Sequence, residues 1–413
     1  KKFAIAGAKV FKSSTALPQG NFTEDITSGV PTNLNSDYSD MSSFNGYLYI
    51  SANSTSVYKT DGSTWATFTA GSSTGSPRMF VQFADRMYMT DGSSKIISWN
   101  TSDSVASIGS AYTLDFSSNA NERRIVFMRA SASRIWIGTV NRNGGKGAIY
   151  EWDGISTQAT KLYRLEASGA MSCVIKDDMP YVFDSNGDLL VWNGGSFVKL
   201  TGLNRENHTL LLGSTSESNP FIHRNGMSVI EGKICALIRG INGDNTSTIE
   251  DTIPSGVYEY DKEYGLVHKG SIGLTKSNGT VSDYGQIKIA KVGALTEINL
   301  QDDASTRNGT FLAGVQAYTN ASSTRNLIAY DDSTNSLQKA GILITPKIDS
   351  ANIDDVWQKI YPKVKRFQNT TDKMVVKYRT DEVDSVEFTG TFTSTTTFTT
   401  TADLSSFAVG DEI

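Results

Sequence analysis

Read for apolar and polar positions, the chain is a succession of short β-rich runs, each ending at a turn-forming residue. In six places an aromatic or β-branched residue is followed directly by Asp or Asn: Thr60-Asp61, Trp99-Asn100, Trp152-Asp153, Trp192-Asn193, Tyr260-Asp261 and Tyr330-Asp331. The runs carrying them read VYKTDG, ISWNTS, IYEWDG, LVWNGG, VYEYDK and IAYDDS. Successive anchors at positions 60, 99, 152, 192, 260 and 330 are separated by 39, 53, 40, 68 and 70 residues. The two shortest intervals fit the period of about 40–50 residues of a propeller blade. The longer ones read as blades with extended loops.

A second strand precedes each anchor: GYLYISA around Tyr49, RMYMTD around Tyr88, RIWIGT around Trp136, PYVFDS around Tyr181, KICALI around Cys235 and TFLAGV around Phe311. In three units its central aromatic lies 11 residues before the anchor, as in Tyr49 to Thr60, Tyr88 to Trp99 and Tyr181 to Trp192. Aromatic and β-branched residues pack well on a pleated surface. Between the two runs stand turn residues such as Asp184-Ser185-Asn186-Gly187-Asp188, which favour tight hairpins. A further strand is readable ahead of the pair (MSSF, MFVQF, IVFMRA, MSCVIK), and TWATF and SFVKL supply one after it. Each unit is a four-stranded meander that cannot bury both faces alone, whereas a radial array buries each against its neighbours. The expected fold is all-β: a β-propeller of about six, or seven, four-stranded blades plus a small C-terminal β domain. The competing reading is a β-sandwich with coincidental spacing.

The propeller is expected over residues 1–340. KFAIAGAKVF reads as one N-terminal strand, predicted to close the last blade by pairing near residues 311–345. Extended loops at 240–254 and 299–309 are predicted to project from one face and mediate subunit contacts. From 341 to 413 the pattern changes. Lys363-Val364-Lys365-Arg366-Phe367 and Val375-Val376-Lys377-Tyr378-Arg379 alternate as half-exposed strands, followed by a Thr-rich run around Phe388, Phe392 and Phe398. The alternative is a last blade with a decorated tail. The first residue is Lys and Val409–Ile413 reads as the start of a strand, so this domain is expected to be incomplete.

Composition belongs to a folded β protein: 413 residues, 20% charged, 8 prolines, 17 Tyr and 18 Phe. A net charge of −5 argues against nucleic acid as the main partner, since phosphate binding needs a basic face. No run approaches the ~20 apolar residues of a membrane-spanning helix. Cys173 and Cys235 sit inside apolar β runs and are expected as buried free thiols.

Candidate chemistry is sparse, and no catalytic, cofactor-binding or metal residue is assigned. His208, His223 and His268 have no second His or Cys at ligand spacing, and no Gly-x-Ser-x-Gly elbow accompanies them. Arg142-Asn143-Gly144-Gly145-Lys146-Gly147 lacks the Gly-Lys-Ser/Thr ending of a phosphate loop and reads as a hairpin tip. The acidic groups Asp177-Asp178, Asp184 with Asp188, Asp302-Asp303 and Asp331-Asp332 do not reproduce a calcium loop and read as turns. Lys59–Trp65 and Ser185–Trp192 miss the register of a sialidase repeat. A propeller glycoside hydrolase needs only two spaced carboxylates, and stays open as a third reading.

The irregular Trp-Asn-Gly and Trp-Asp-Gly units, together with ILITPKID, VWQKIYPKVKRF, VVKYRTD and TGTFTSTTTFTTTADLSSFAVGDEI, resemble structural proteins of tailed bacteriophages, in particular nozzle, tubular or tip-associated tail proteins. The specific part of the resemblance is confined to about residues 340–413, and it carries no catalytic motif. It implies a non-enzymatic virion component, located in the tail or otherwise extracellular. The implied partners are other tail proteins and copies of itself in a ring, with transient contact with passing DNA and no membrane insertion. The alternative is a receptor- or host-glycan-binding propeller, for which Trp65, Tyr112, Tyr284 and Tyr318 are the candidate loop aromatics.

Overall fold

Every one of the six anchors ends the third strand of a blade. The computed structural model describes residues 3–13, 22–35, 38–69, 78–90, 95–100, 114–115, 123–141, 145–203, 221–239, 255–271, 289–297, 311–320, 323–330, 375–378, 386–392 and 398–400. Five antiparallel four-stranded sheets and one three-stranded sheet follow one another as blades. Blade 1 comprises Met41–Phe44, Tyr47–Ser51, Ser56–Thr60 and Trp65–Thr69, and blade 2 comprises Phe80–Phe83, Arg86–Thr90, Lys95–Trp99 and Leu114–Asp115. Blade 3 is built from Arg123–Ala130, Ile135–Asn141, Ala148–Trp152 and Lys161–Arg164, and blade 4 from Ala170–Lys176, Met179–Asp184, Asp188–Trp192 and Phe197–Gly202. Blade 5 contains Ile222–Ile230, Lys233–Ile238, Gly256–Asp261 and Gly265–Ser271, and blade 6 contains Ile289–Glu297, Phe311–Asn320 and Ser323–Tyr330. The first strands of successive blades adjoin, and this makes them the inner strands of the propeller.

The anchor repeat has a local cause. At the end of the third strand the aromatic is driven into the packing between blades, as Trp99 and Trp152 show at 3% and 0% exposure. The polar residue after it then closes the turn to the fourth strand. Asp61 Oδ1 accepts the amides of Ser63 and Thr64 at 2.8 and 3.1 Å, and Asp153 Oδ1 those of Ile155 and Ser156, both at 2.8 Å. Asn193 Oδ1 accepts from Gly195 and Ser196 at 3.1 and 2.9 Å, and Asp261 Oδ1 from Glu263 and Tyr264 at 2.8 and 3.1 Å. A short side chain that accepts two amides in this way replaces the backbone pairing lost at the strand end.

Apolar clusters join the sheets in chain order. Phe44 and Tyr49 of blade 1 meet Met87 and Trp99 of blade 2. Tyr88 and Ile96 of blade 2 pack with Ile135 and Trp152 of blade 3, and Trp136 and Ile149 of blade 3 pack with Cys173 and Val182 of blade 4. Phe183 and Leu189 of blade 4 meet Ile234 and Tyr258 of blade 5, and Leu237 and Val257 of blade 5 meet Val292 and Val315 of blade 6. Each burial of a large apolar side chain is worth about 1.5–3 kcal/mol.

The N-terminus departs from the expected closure. KFAIAGAKVF is a hairpin of two strands, Phe3–Ala6 and Lys9–Ser13, because Gly7 takes φ 61° in a two-residue turn with Ala6 opposite Lys9. The second strand pairs with Phe22–Glu24 to complete a three-stranded sheet. Among the described residues this local sheet stands in place of the expected pairing with the last blade; residues 331–345 lie outside them. It packs on blade 1 through Val10, Phe3 and Ile5 against Ile50, Tyr58 and Trp65. Among the described residues blade 6 has three strands, ordered as they occur in the chain.

The chain divides into two compact units, Lys1–Lys339 and Ala340–Ile413. In the second, Val375–Tyr378, Val386–Phe392 and Phe398–Thr400 make a three-stranded antiparallel sheet, with Val375 opposite Thr389 and Gly390 opposite Thr400. The run at 363–367 and the loops at 240–254 and 299–309 lie outside the described residues.

Candidate functional site

Polar side chains converge where the inner strands meet. The structural device that brings them there is a bulge in the first strand of blade 5. Ile222 stands opposite Ile238 and Met227 opposite Ala236, so His223 to Gly226 face Leu237 alone. A bulge re-aims side chains by bending its strand, and this one carries Arg224 and Asn225 across to other blades. Gly226 is required by space: a Cβ there would lie 2.8 Å from the His223 carbonyl oxygen and 2.9 Å from Ile222 Cγ1. The bulge closes on itself where the Asn225 amide donates to His223 Nδ1 at 3.1 Å.

Asn225 is the centre of the arrangement. Its Oδ1 accepts Arg129 Nη2 of blade 3 at 2.7 Å, and its Nδ2 donates to Asp40 Oδ1, next to blade 1, at 2.9 Å. The second Asp40 oxygen accepts the amide of Phe80 in blade 2 at 3.0 Å. Arg224 donates through Nη2 to the Ser39 carbonyl at 2.6 Å. Its own carbonyl accepts Arg129 Nη2 at 3.1 Å and Ser172 Oγ of blade 4 at 3.1 Å. Arg129 also donates Nε to the Cys173 carbonyl at 2.9 Å and Nη1 to the Met128 carbonyl at 2.8 Å. Ser51 Oγ of blade 1 donates to the Arg78 carbonyl at 2.9 Å. Blades 1 to 5 are thereby tied together by side chains.

Asp40, Arg78, Ser172 and Arg224 are buried, while Arg129 and Asn225 at the centre are half-buried. Buried charge persists only when paired and hydrogen-bonded. Here the guanidinium of Arg129 is spent on carbonyls and one amide, while the Asp40 carboxylate is held by an amide N–H and the Asn225 side chain. Arg124 lies over the Tyr38 ring at 5.5 Å, adding a cation–π contact. Chemically the arrangement is a fastening between blades.

Other sequence candidates are placed elsewhere. His223 belongs to the bulge, and His268 lies in the outer strand of blade 5 with its ring 5.0 Å from that of Tyr258. Burial pushes the His268 pKa down. Cys173 and Cys235 are free and buried, and burial pushes each thiol up to about 12. Asp177 and Asp178 form a left-handed turn at φ 51° and 63°, and Asp184 Oδ1 accepts the amides of Asn186 and Asp188 at 2.8 and 2.9 Å. These are turn carboxylates. No group of three metal-ligating side chains occurs among the described residues. His208, Asp302-Asp303, Asp331-Asp332, Tyr112 and Tyr284 lie outside them, as does the side chain of Tyr318.

Trp65 lies in the strand expected from TWATF and is corrected only as a candidate loop aromatic. It begins the outer strand of blade 1, stands edge-on to Phe3 at 6.2 Å and donates Nε1 to Asp25 Oδ2 at 3.1 Å. Asp25 is 4% exposed and pairs with Lys12 at 2.7 Å. Burial alone would raise its pKa, but the bonds from Lys12, Thr27 and Trp65 outweigh that and hold it well below the usual carboxylate range. The central residues Asp40, Arg129, Arg224 and Asn225 were missed in the sequence. The available signal was Asn225-Gly226 inside the apolar run FIHRNGMSVI, a pattern that marks a bulge.

No family model and no curated protein sequence matches the chain. Solved structures resemble it at low identity. A luciferin-regenerating enzyme is 11% identical with a TM-score of 0.41, over 70% of this chain and 88% of that one. A calcium-binding regucalcin from Agrobacterium tumefaciens is 11% identical with a TM-score of 0.38, over 69% and 84%. A chain of a mitotic checkpoint complex is 9% identical with a TM-score of 0.46, over 80% and 86%. Likenesses at this level carry no argument about activity.

Proposed function

We propose that this chain is a non-enzymatic structural component of a bacteriophage tail, at a nozzle or tip-proximal position, assembling with other tail proteins and with copies of itself. The observation that carries the reading is the use made of the propeller's middle. Arg129, Arg224, Asn225 and Asp40 are committed to one another and to backbone carbonyls across five blades. Such a middle favours a rigid block that acts through its outer surfaces. The phage-like run from 340 to 413 supplies the tail assignment, and the net charge of −5 suits a part near passing DNA that must not retain phosphates. With the bulge of blade 5 across the middle, a DNA path would be bounded by a ring of copies. Protein composition of purified virions tests the reading. The chain is expected at a fixed copy number beside other tail proteins, and its absence from purified particles rejects the assignment.

A second reading, recognition of a host receptor or glycan, draws on the outer strands. Leu162, Val198 and Val267 are 43%, 38% and 41% exposed on blades 3, 4 and 5, and Tyr264, in the turn before the outer strand of blade 5, is 77% exposed. Exposed aromatics stack on sugar faces. A glycan array with the intact chain and with Tyr264→Ala separates the two: saturable binding lost in the variant would favour recognition.

A further inference from the structure

The packing clusters leave two sheet faces at the ends of the series. The N-terminal sheet turns Phe3, Ile5 and Val10 towards blade 1. Its other face therefore carries Ala4 and Ala6 on the edge strand, with Phe11 opposite Ala4, and Ser13. The Ser13 end of that face is covered, since Ser13 is 1% exposed and Ala4, Ala6 and Phe11 are half-buried, while Lys9 and Glu24 on the same face are exposed and paired at 2.6 Å at its rim. At the other end, blade 6 turns Ala313 and Val315 towards blade 5, which leaves Leu312, Gly314 and Gln316 of the same strand on its far face. These too are half-buried.

The cross-links in the middle say how the two ends stand. Arg224 and Asn225 of blade 5 bond Ser39 and Asp40 at the entrance to blade 1. An open fan of sheets would carry blade 5 away from blade 1, whereas a ring brings both to the same centre. The place between blade 5 and blade 1 is then shared by blade 6 and the N-terminal sheet, each already packed on one neighbour.

We propose that the N-terminal three-stranded sheet is the closing blade of the ring, and that its Ala4, Phe11 and Ser13 face seals against the Leu312, Gly314 and Gln316 face of blade 6. The ring is closed by side-chain packing, and among the described residues no strand is shared between the chain's beginning and the last blade. A large ring at Phe11 and a position without a side chain at Gly314, both on middle strands, suit such a face-to-face contact, in which sheets lie about 10 Å apart. The seam joins the two ends of the propeller with no chain running directly between the two sheets, and hence is the place where the ring opens first. The inference does not depend on the tail assignment.

Cysteine cross-linking tests it. Cys173 and Cys235 are buried with raised thiol pKa values and so do not compete. Phe11→Cys is combined with Gln316→Cys, and separately with Leu312→Cys, in the full chain and treated with a short bis-maleimide. The expected product is an intramolecular cross-link in monomer, formed by at least one pair. Cross-linked dimers alone would overturn the proposal by showing that a second copy covers the face. Labelling of both thiols without any cross-link would overturn it by showing the faces apart. Phe11→Ala gives an independent reading by hydrogen exchange. Loss of protection in 311–317 as well as in 9–13 is expected, and unchanged protection in blade 6 contradicts the seam.

Discussion

Arg129 shows at the scale of one residue how the propeller's middle is held. Its Nε, Nη1 and Nη2 donate to groups on blades 3, 4 and 5, and each hydrogen bond involving a charged group contributes about 1.5–3 kcal/mol. Arg129→Met is expected to lower stability by about 3 kcal/mol, read as a fall in the urea midpoint. Because Arg129 and Asn225 share a bond, a double-mutant cycle with Asn225→Ala is expected to show coupling of about 1 kcal/mol or more. Additive losses would mean that the two act separately. Titration gives a second residue-scale test. His268 has its pKa lowered by burial, so the unfolded chain binds its proton first. Its contribution is complete above the unfolded value of about 6.5 and is lost as pH falls below it. Asp25 and Glu151 are also held low, as hydrogen bonds from Lys12 and from Arg134 outweigh the burial that opposes ionisation. Their contributions are complete above about pH 4.3 and are lost as pH falls further. Urea midpoints from pH 7 to 3 are expected to decline in two stages, with His268→Gln removing the upper one. An unchanged upper decline in that variant would exclude His268 as its source.

The anchors explain at the scale of elements why most of the fold was legible. Trp152 carries the burial and Asp153 the turn, so two adjacent residues mark both the end of a strand and the side that faces the preceding blade. Trp152→Ala is expected to cost about 3–5 kcal/mol. Asp153→Ala is expected to cost about 1 kcal/mol, and a thermal or urea unfolding comparison should keep that order. Illegible parts share another physical origin. The hairpin at Gly7 was hidden because Ala6-Gly7-Ala8 keeps an apolar composition through the turn. The central cluster was hidden because its members lie up to 185 residues apart, as Asp40 and Asn225 do, and meet only through inter-blade geometry. Only the Asn225-Gly226 pair left a local trace. Gly226→Ala is accordingly expected to reproduce the loss seen with Asn225→Ala, since the added carbon collides with the bulge backbone. A Gly226→Ala protein as stable as the parent would show that the bulge can relax.

For the whole molecule, the six blades and the covering N-terminal sheet make a body whose polar interior is committed to holding itself together. Its exposed apolar side chains include Leu162, Val198 and Val267 on the outer strands and Ile26, Ile155 and Tyr264 outside the strands. On the proposed reading such a component would work by position within an assembly, and its acidic balance would keep it from capturing DNA nonspecifically. The tail assignment is tested most directly by imaging purified virions and locating the chain within the reconstructed tail. It predicts several copies in a closed ring at the nozzle or near the tip, the propellers contacting neighbours through their outer surfaces and the DNA path running between copies. A reconstructed tail in which no density accommodates the propeller would contradict it.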